Sequence, residues 1–153
     1  MEDIIYGTIG AAIKGYCVRK NIDPLSIVKI NKGRHAIITP QGGNKTYFLF
    51  KRAPFNKFSE KFPSKNFKVP DAERWASYVQ GDSINEDLFR DAIYMHGCEK
   101  IAIVYSASGH IYEANSKELY AFSMGTGLRR IQDGEDKEKT LSFPLAELKR
   151  LEE

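Results

Sequence analysis

The stretch KTYFLFKR, residues 45–52, decides the predicted architecture. Its four middle residues are bulky and apolar, and they alternate between the two sides of an extended strand: Tyr47, Phe48, Leu49 and Phe50. A strand that is apolar on both sides is covered on both sides, so this segment belongs at the centre of a sheet. Packing in the core explains these four side chains. The basic residues Lys45, Lys51 and Arg52 at its ends need another explanation.

The neighbouring segments complete a fold around this strand. Two β-branched runs, 25–31 and 34–40, precede it. The turn sequence KG lies between these two runs, and QGGN lies between the second run and residues 45–52, which predicts a three-stranded meander. Apolar spacing predicts a helix over 3–20, and a second helix over 83–97 is followed by the apolar strand 100–106. The sequence therefore predicts an α+β single domain with a mixed central β-sheet flanked by helices.

The remaining segments are predicted as follows. Ser83 and Glu86 have the spacing of a capping box at the start of the second helix. We expect a basic, Phe-rich loop over 53–70 and a flexible charged loop over 124–139. The other predictions are a short helix at 71–79, a strand with an edge segment at 110–123 and a C-terminal helix at 143–153.

Composition limits the class of protein. The chain has 153 residues, 42% of them hydrophobic, which suffices for one domain with its own core, residues 1–153. The two cysteines, Cys17 and Cys98, predict reduced, partly buried thiols and no disulfide framework or zinc site. The N-terminus lacks the pattern of a signal peptide and no segment is apolar enough to span a membrane, so we expect a cytoplasmic protein without a membrane partner.

Positive charge is concentrated in one part of the chain. Residues 25–59 contain seven basic residues and no acidic one, although the net charge of the whole chain is only +3. One interpretation is a solvated surface; the other is a polyanion-binding surface, where basic residues contact phosphates and interleaved phenylalanines stack on bases. The predicted nucleic-acid-binding residues are Lys29, Lys32, Arg34, Lys45, Arg52, Lys57, Lys61 and Lys65.

The predicted element order resembles the α-β-β-β-α-β core of the PD-(D/E)XK nuclease superfamily, especially its archaeal Holliday-junction-resolvase branch. The resemblance spans residues 3–122 and rests on element order. It implies a restriction-endonuclease-like fold, with duplex or branched DNA as the partner. In that family a carboxylate on the second core strand and an E-x-K on the third hold divalent metal, and the lysine assists the attacking water.

The resemblance assigns Lys51 to the position of the family's lysine, as a catalytic residue. Leu49 stands where the family has glutamate, and Thr39 and Gln41 stand near its aspartate position, so the expected metal ligands are missing. An active enzyme would use Mg²⁺ or Mn²⁺ and would need substitute acids. We predict Glu86 as a catalytic residue and Glu86 with Asp87 as metal ligands; the further acids available are Glu2, Asp3, Glu60 and Asp91.

Three functions remain open at this point. The chain is a metal-dependent endonuclease or junction resolvase with a non-standard site, or it is a DNA-binding protein on a nuclease-like scaffold without catalysis. The third alternative is a protein-interaction module, forming a homodimer, whose Phe-rich loop is the interface. Salt-dependent DNA binding separates the first two from the third, and metal-dependent cleavage separates the first from the second.

Overall fold

In the computed structural model of the chain we describe residues 6–56, 80–126, 129–131 and 139–151. Three α-helices are present in these ranges: α1 (Ile9–Lys20), α2 (Glu86–Tyr94) and α3 (Ser116–Thr126). The strands are β1 (Pro24–Ile30), β2 (His35–Pro40), β3 (Thr46–Lys51), β4 (Gly81–Asn85), β5 (Lys100–Tyr105), β6 (Ile111–Asn115), β7 (Arg129–Ile131), β8 (Lys139–Pro144) and β9 (Lys149–Arg150). A 3₁₀ turn, Leu145–Glu147, lies between the last two strands.

A six-stranded mixed sheet in the order β1-β2-β3-β5-β6-β9 forms the centre of the fold. Its first three strands are an antiparallel meander, and β3 and β5 are parallel, with Thr46 opposite Lys100 and Lys51 opposite Tyr105. A second sheet has the order β4-β8-β7. The predicted α+β class, with a mixed central sheet flanked by helices, is therefore confirmed.

The two sides of the central sheet pack against different layers. Helix α1 covers one side, where Ile13 and Tyr16 contact a cluster that contains Phe48 and Val104. The opposite side packs against α2, α3 and the small sheet; its buried side chains include Tyr47, Leu49, Ile101, Ile103, Phe89, Leu119, Leu141 and Phe143. The four alternating residues of β3 are divided between these clusters as predicted, and Lys51 has the same parity as Tyr47 and Leu49.

The second helix begins later than predicted, and the predicted capping box is wrong. Residues 81–85 are extended because β4 pairs with β8. The helix is instead capped by Asn85, whose side chain accepts a hydrogen bond from the Leu88 amide at 2.9 Å. Ser83 lies in β4, and Glu86 is a buried first-turn residue.

Two further predictions are wrong in the last third of the chain. The segment after β6 is helix α3, whereas we predicted an edge strand there, because Ser116 onward packs its apolar residues on the central sheet. The predicted helix at 143–153 is replaced by the end of β8, the 3₁₀ turn and β9. Leu145 and Leu148 are both buried, but they lie on a turn and an extended segment and not on a helix.

The two predicted loops lie only partly within the described residues. Of the loop at 53–70, residues 53–56 are described, and Phe55 forms a two-hydrogen-bond bridge with Gly81. The loop predicted at 124–139 includes the end of α3, all of β7 and the start of β8, so it is not a loop throughout. The rest of both segments and the predicted helix at 71–79 lie outside the described residues.

The described helices are all too short or too polar to cross a membrane.

Candidate functional site

The carboxyl ends of the parallel strands β3 and β5 meet at one end of the central sheet. Lys51 and Tyr105 are the last residues of these strands and lie opposite each other in the register. Both side chains reach Asp82 of β4: Lys51 Nζ donates to Asp82 Oδ1 at 2.9 Å, and the Tyr105 hydroxyl donates to Asp82 Oδ2 at 2.8 Å. Three strands thus meet at one carboxylate.

Asp82 is 3% exposed, and its charge is compensated by close donors. Besides Lys51 and Tyr105, the backbone amide of Ser83 donates to Oδ1 at 2.7 Å. Lys51 is held further by the Ser83 carbonyl, which accepts from its ammonium at 2.6 Å. Burial, and then the charge of Asp82 and its hydrogen bond, raise the pKa of Tyr105 far above its usual range, so Tyr105 acts as a neutral donor.

Among the described residues, the acids near this end do not form a divalent-metal site. Both oxygens of Asp82 accept hydrogen bonds, one of them from a cation, which leaves a poor ligand for Mg²⁺. Glu86 is buried at the start of α2, whereas the Asp87 side chain is 66% exposed and pairs with Arg90 at 3.2 Å. Within the ranges that the structure describes, no three acidic, histidine or cysteine residues form a metal-binding group.

Four of the predicted DNA-binding residues lie at this same end of the sheet. Strand β2 starts beside the end of β3, with His35 opposite Leu49, so the turn between β1 and β2 projects from the end that carries Lys51. Lys32 and Arg34 lie in or beside this turn, and Lys29 is one residue before the end of β1. Arg52 follows β3 directly. We call Lys29, Lys32, Arg34 and Arg52 the cationic end; all four are exposed.

The cationic end has no partner carboxylates in the described part of the chain. None of its four side chains forms an ion pair there, whereas Lys20 and Lys51 do. The predicted residue Lys45 lies elsewhere, directly before β3 and therefore at the opposite end of the sheet. Lys57, Lys61 and Lys65 fall outside the described residues.

A pocket of about 250 Å³ opens beside the Asp82 site. Arg52, the β5–β6 turn and β9 line it, and its polar side chains include His110, Ser108 and Arg150. Sequence reasoning missed Arg150, because we placed it on a helix and not on the strand that pairs with β6. His110 was missed as well, because no other histidine or cysteine has ligand spacing with it. Only the sheet register brings these residues beside Arg52.

The other buried polar cluster lies on the α1 side of the sheet. Glu113 of β6 accepts hydrogen bonds from the Tyr16 hydroxyl at 2.5 Å and from Lys20 Nζ at 3.0 Å, which ties α1 to the sheet. Cys17 and Cys98 are both free, and both are buried more completely than predicted. Burial raises the pKa of Cys98 to about 11 and that of Cys17 above its usual value. These groups have structural and not catalytic environments.

Comparison of the chain with protein-family models, with curated proteins and with solved structures finds no match.

Proposed function

We propose that the protein binds DNA through the cationic end of its central sheet. The observation that supports this most directly is the position of Lys29, Lys32, Arg34 and Arg52. Two separate parts of the chain bring them to one end of the sheet, where no described carboxylate pairs with them. Unpaired cations at this density favour a polyanion with regularly spaced phosphates, since each contact releases counterions from the DNA.

DNA, and not another polyanion, is favoured by the resemblance in element order to PD-(D/E)XK nucleases. The order α-β-β-β-α-β occurs here with one added strand before α2, and Lys51 ends the third strand as the family's lysine does. The engagement of both Asp82 oxygens by hydrogen-bond donors supports a binding protein on a nuclease-like scaffold over a metal-dependent nuclease. The alternative is a nuclease that uses Mg²⁺ or Mn²⁺ with Glu86 and Asp87. The test below therefore includes these metals.

The test is a binding titration with linear duplex, single-stranded and four-way-junction DNA, each carrying an internal fluorophore. Anisotropy at several salt concentrations gives the slope of log affinity against log salt. If Arg34→Ala or Arg52→Ala leaves one duplex phosphate without its cation, the slope should decrease by about 0.9. Lys14→Ala, on the exposed surface of α1, is the matched control and should keep the wild-type slope.

Three outcomes would contradict the proposal in different ways. Equal slopes for Arg34→Ala and Lys14→Ala would mean that the cationic end is not the binding surface. Cleavage with Mg²⁺ or Mn²⁺ that stops with chelator and in Glu86→Gln would make the protein a nuclease. Absence of binding at low salt, together with a concentration-dependent dimer in sedimentation, would favour the protein-interaction module.

A further inference from the structure

The pocket beside Asp82 has the chemistry of a phosphate site. Its three basic side chains come from three different parts of the sheet: Arg52 directly after β3, His110 directly before β6, and Arg150 in β9. None of the described carboxylates belongs to its lining. Two guanidinium groups offer forked donors that match pairs of phosphate oxygens, and an imidazole can donate a ring N–H in either protonation state.

The neutral side chains of the lining are also arranged for an anion. Ser108 Oγ accepts a hydrogen bond from the His110 amide at 3.2 Å, so its hydroxyl hydrogen can be donated to a ligand. Tyr105 and Tyr112 form an aromatic wall, with ring centroids 5.8 Å apart and planes at 76°. The hydroxyl of Tyr105 is hydrogen-bonded to Asp82, so Tyr105 contributes its ring to the wall and not its oxygen.

The buried carboxylate near the pocket does not cancel this positive character. Asp82 lies next to Tyr105, but Lys51 Nζ is 2.9 Å from its Oδ1 and balances its charge. Without this partner, the buried carboxylate, which contacts the Tyr105 side chain of the lining, would disfavour an anion in the pocket. Lys51 therefore has a role for the pocket that does not require contact with the ligand.

The size of the pocket limits what it can hold. Its volume of about 250 Å³ is below the range of roughly 300–1,000 Å³ usual for sites that hold whole small molecules. A single phosphate group with part of an attached sugar suits it better. A phosphate monoester carries a charge of about −1.5 to −2 and three acceptor oxygens, so two arginines favour it over a diester inside a DNA strand.

We propose that this pocket binds a phosphate monoester, and specifically the terminal phosphate of a DNA strand that lies along the cationic end. The inference rests on the proposed function, because Arg52 belongs to both surfaces and would pass the strand from one to the other. It adds a preference that the cationic end alone cannot produce: recognition of strand ends over strand interiors.

The experiment uses one single-stranded oligonucleotide with an internal fluorophore in four forms: 5′-phosphorylated, 3′-phosphorylated, hydroxyl at both ends, and ligated into a circle. The wild-type protein should bind one phosphorylated form about tenfold more tightly than the hydroxyl form, as expected for a charged hydrogen-bonded group. Inorganic phosphate and adenosine monophosphate should compete for the pocket and abolish that preference. Comparison of the two competitors shows whether a sugar and base contribute to binding. Arg150→Gln should bind all four forms equally and keep the wild-type affinity for the circle.

Matched variants separate the pocket from general effects on folding or charge. Arg19→Gln removes a cation from α1 and should keep the end preference, and Arg150→Lys should restore part of it. Thermal melting of Arg150→Gln checks that the variant is folded; if it is not, His110→Gln replaces it with the same expected loss of preference. The proposal is overturned if the wild-type protein binds all four forms equally, or if a folded pocket variant keeps the preference.

The pocket and the proposed function can fail independently. Equal, salt-dependent binding of all four forms would overturn the pocket and leave DNA binding intact. Adenosine monophosphate that shifts the NMR signals of Ser108 and Gly109 in the wild-type protein, but not in Arg150→Gln, would support a monoester pocket even if no oligonucleotide bound. In that case the ligand would be a free nucleotide or phosphate, and the proposed DNA binding would be wrong.

Discussion

Asp82 joins three strands through its two carboxylate oxygens, and its environment determines how the end of the sheet is held together. It belongs to β4, accepts from Lys51 of β3 and Tyr105 of β5, and is almost inaccessible to solvent. A buried charge of this kind contributes little while it is paired, but it is costly once its partner is removed. The same contacts that hold the strand ends together therefore make the local structure sensitive to single substitutions.

Lys51→Met should lower the free energy of unfolding by about 3 kcal/mol, the lower end of the range for breaking a buried pair, because the lysine is partly exposed. Urea denaturation measures this change. Lys14→Met, at an exposed position, should change the value by less than about 0.5 kcal/mol. In the double variant Lys51→Met/Asp82→Asn most of the stability should be recovered; purely additive effects would mean that the two side chains do not depend on each other.

The two cysteines should be protected from thiol reagents in the folded protein. With the pKa of Cys98 raised to about 11, about one thiol in a thousand is ionised at pH 8, and thiolate is the reactive form. Reaction with a disulfide reagent at pH 8 should therefore be slow, and it should become fast in urea, where both thiols return to ordinary pKa values. Rapid labelling of either residue without denaturant would contradict the buried placement.

At the scale of elements, the β1–β2 turn carries a residue of the proposed binding surface in a costly backbone conformation. Gly33 N donates to Ile30 O at 3.1 Å, and both intervening residues have positive φ, 49° at Asn31 and 57° at Lys32. Gly33 also has positive φ, 79°, and Ile30 pairs with His35, so three successive residues of a four-residue loop adopt a conformation that favours glycine. Asn31 tolerates the left-handed conformation, but lysine is strained there.

Two substitutions at this position separate stability from binding. Lys32→Gly should raise the free energy of unfolding by about 1 kcal/mol, because it relieves the left-handed conformation. Lys32→Ala keeps that strain and should leave stability almost unchanged. Both remove the same cation, so both should weaken DNA binding equally. Denaturation curves of the two variants measure stability, and salt-dependent anisotropy measures their DNA affinity. Unequal decreases in affinity would mean that turn geometry, and not charge, controls binding.

The sequence predicted elements where local pattern and tertiary packing agree. The meander, α1, α2 and β5 were all recognised because their periodicity or continuous apolar character matches the surfaces that they bury. The segments at 116–126 and 143–150 were assigned wrongly. In both, pairing or packing with distant residues selects the structure, as when β9 pairs with β6 through Tyr112 and Arg150. A spacing of three between leucines cannot distinguish a helix from a 3₁₀ turn followed by a short strand.

At the scale of the whole molecule, alkaline pH should destabilise the fold. Burial raises the pKa values of Tyr16, Tyr47 and Tyr105 above their ordinary value of 10.0, and those of the two cysteines above 9.0. Above pH 9 the unfolded chain therefore loses protons that the folded chain retains, so the free energy of unfolding falls as pH rises. Each group lowers the free energy of unfolding by about 1.4 kcal/mol per pH unit once it is ionised in the unfolded chain. Below pH 8 these groups have no effect on stability.

A pH series from 8 to 11 tests this expectation. Melting temperature should be flat up to pH 9 and then fall steeply, and the tyrosinate absorbance of the buried tyrosines should appear together with the loss of circular dichroism. If every tyrosine in the chain ionised near pH 10 while the dichroism was unchanged, the three buried hydroxyl groups would be more accessible than the structure places them.

The candidate site could be predicted from the sequence only in part. The basic run at 25–59 identified the cationic end, because residues close in sequence stay close across a hairpin. Lys45 was grouped with it, although a strand of six residues carries it to the opposite end of the sheet. Asp82, Tyr105 and Arg150 were missed because they come from three elements that only the sheet topology brings together. Linear patterns report neighbours along the chain and not across strands.

The parallel pairing of β3 with β5 has a consequence for the order of folding. The meander and α1 are contiguous in sequence and can form through local contacts, whereas Thr46 and Lys100 must meet across a long intervening segment. Closing such a segment is slow, because its entropy is lost before the strand contacts compensate for it. We therefore expect newly made chains to present the basic hairpin before the pocket exists, so that discrimination between strand ends and interiors would appear only with the final step of folding.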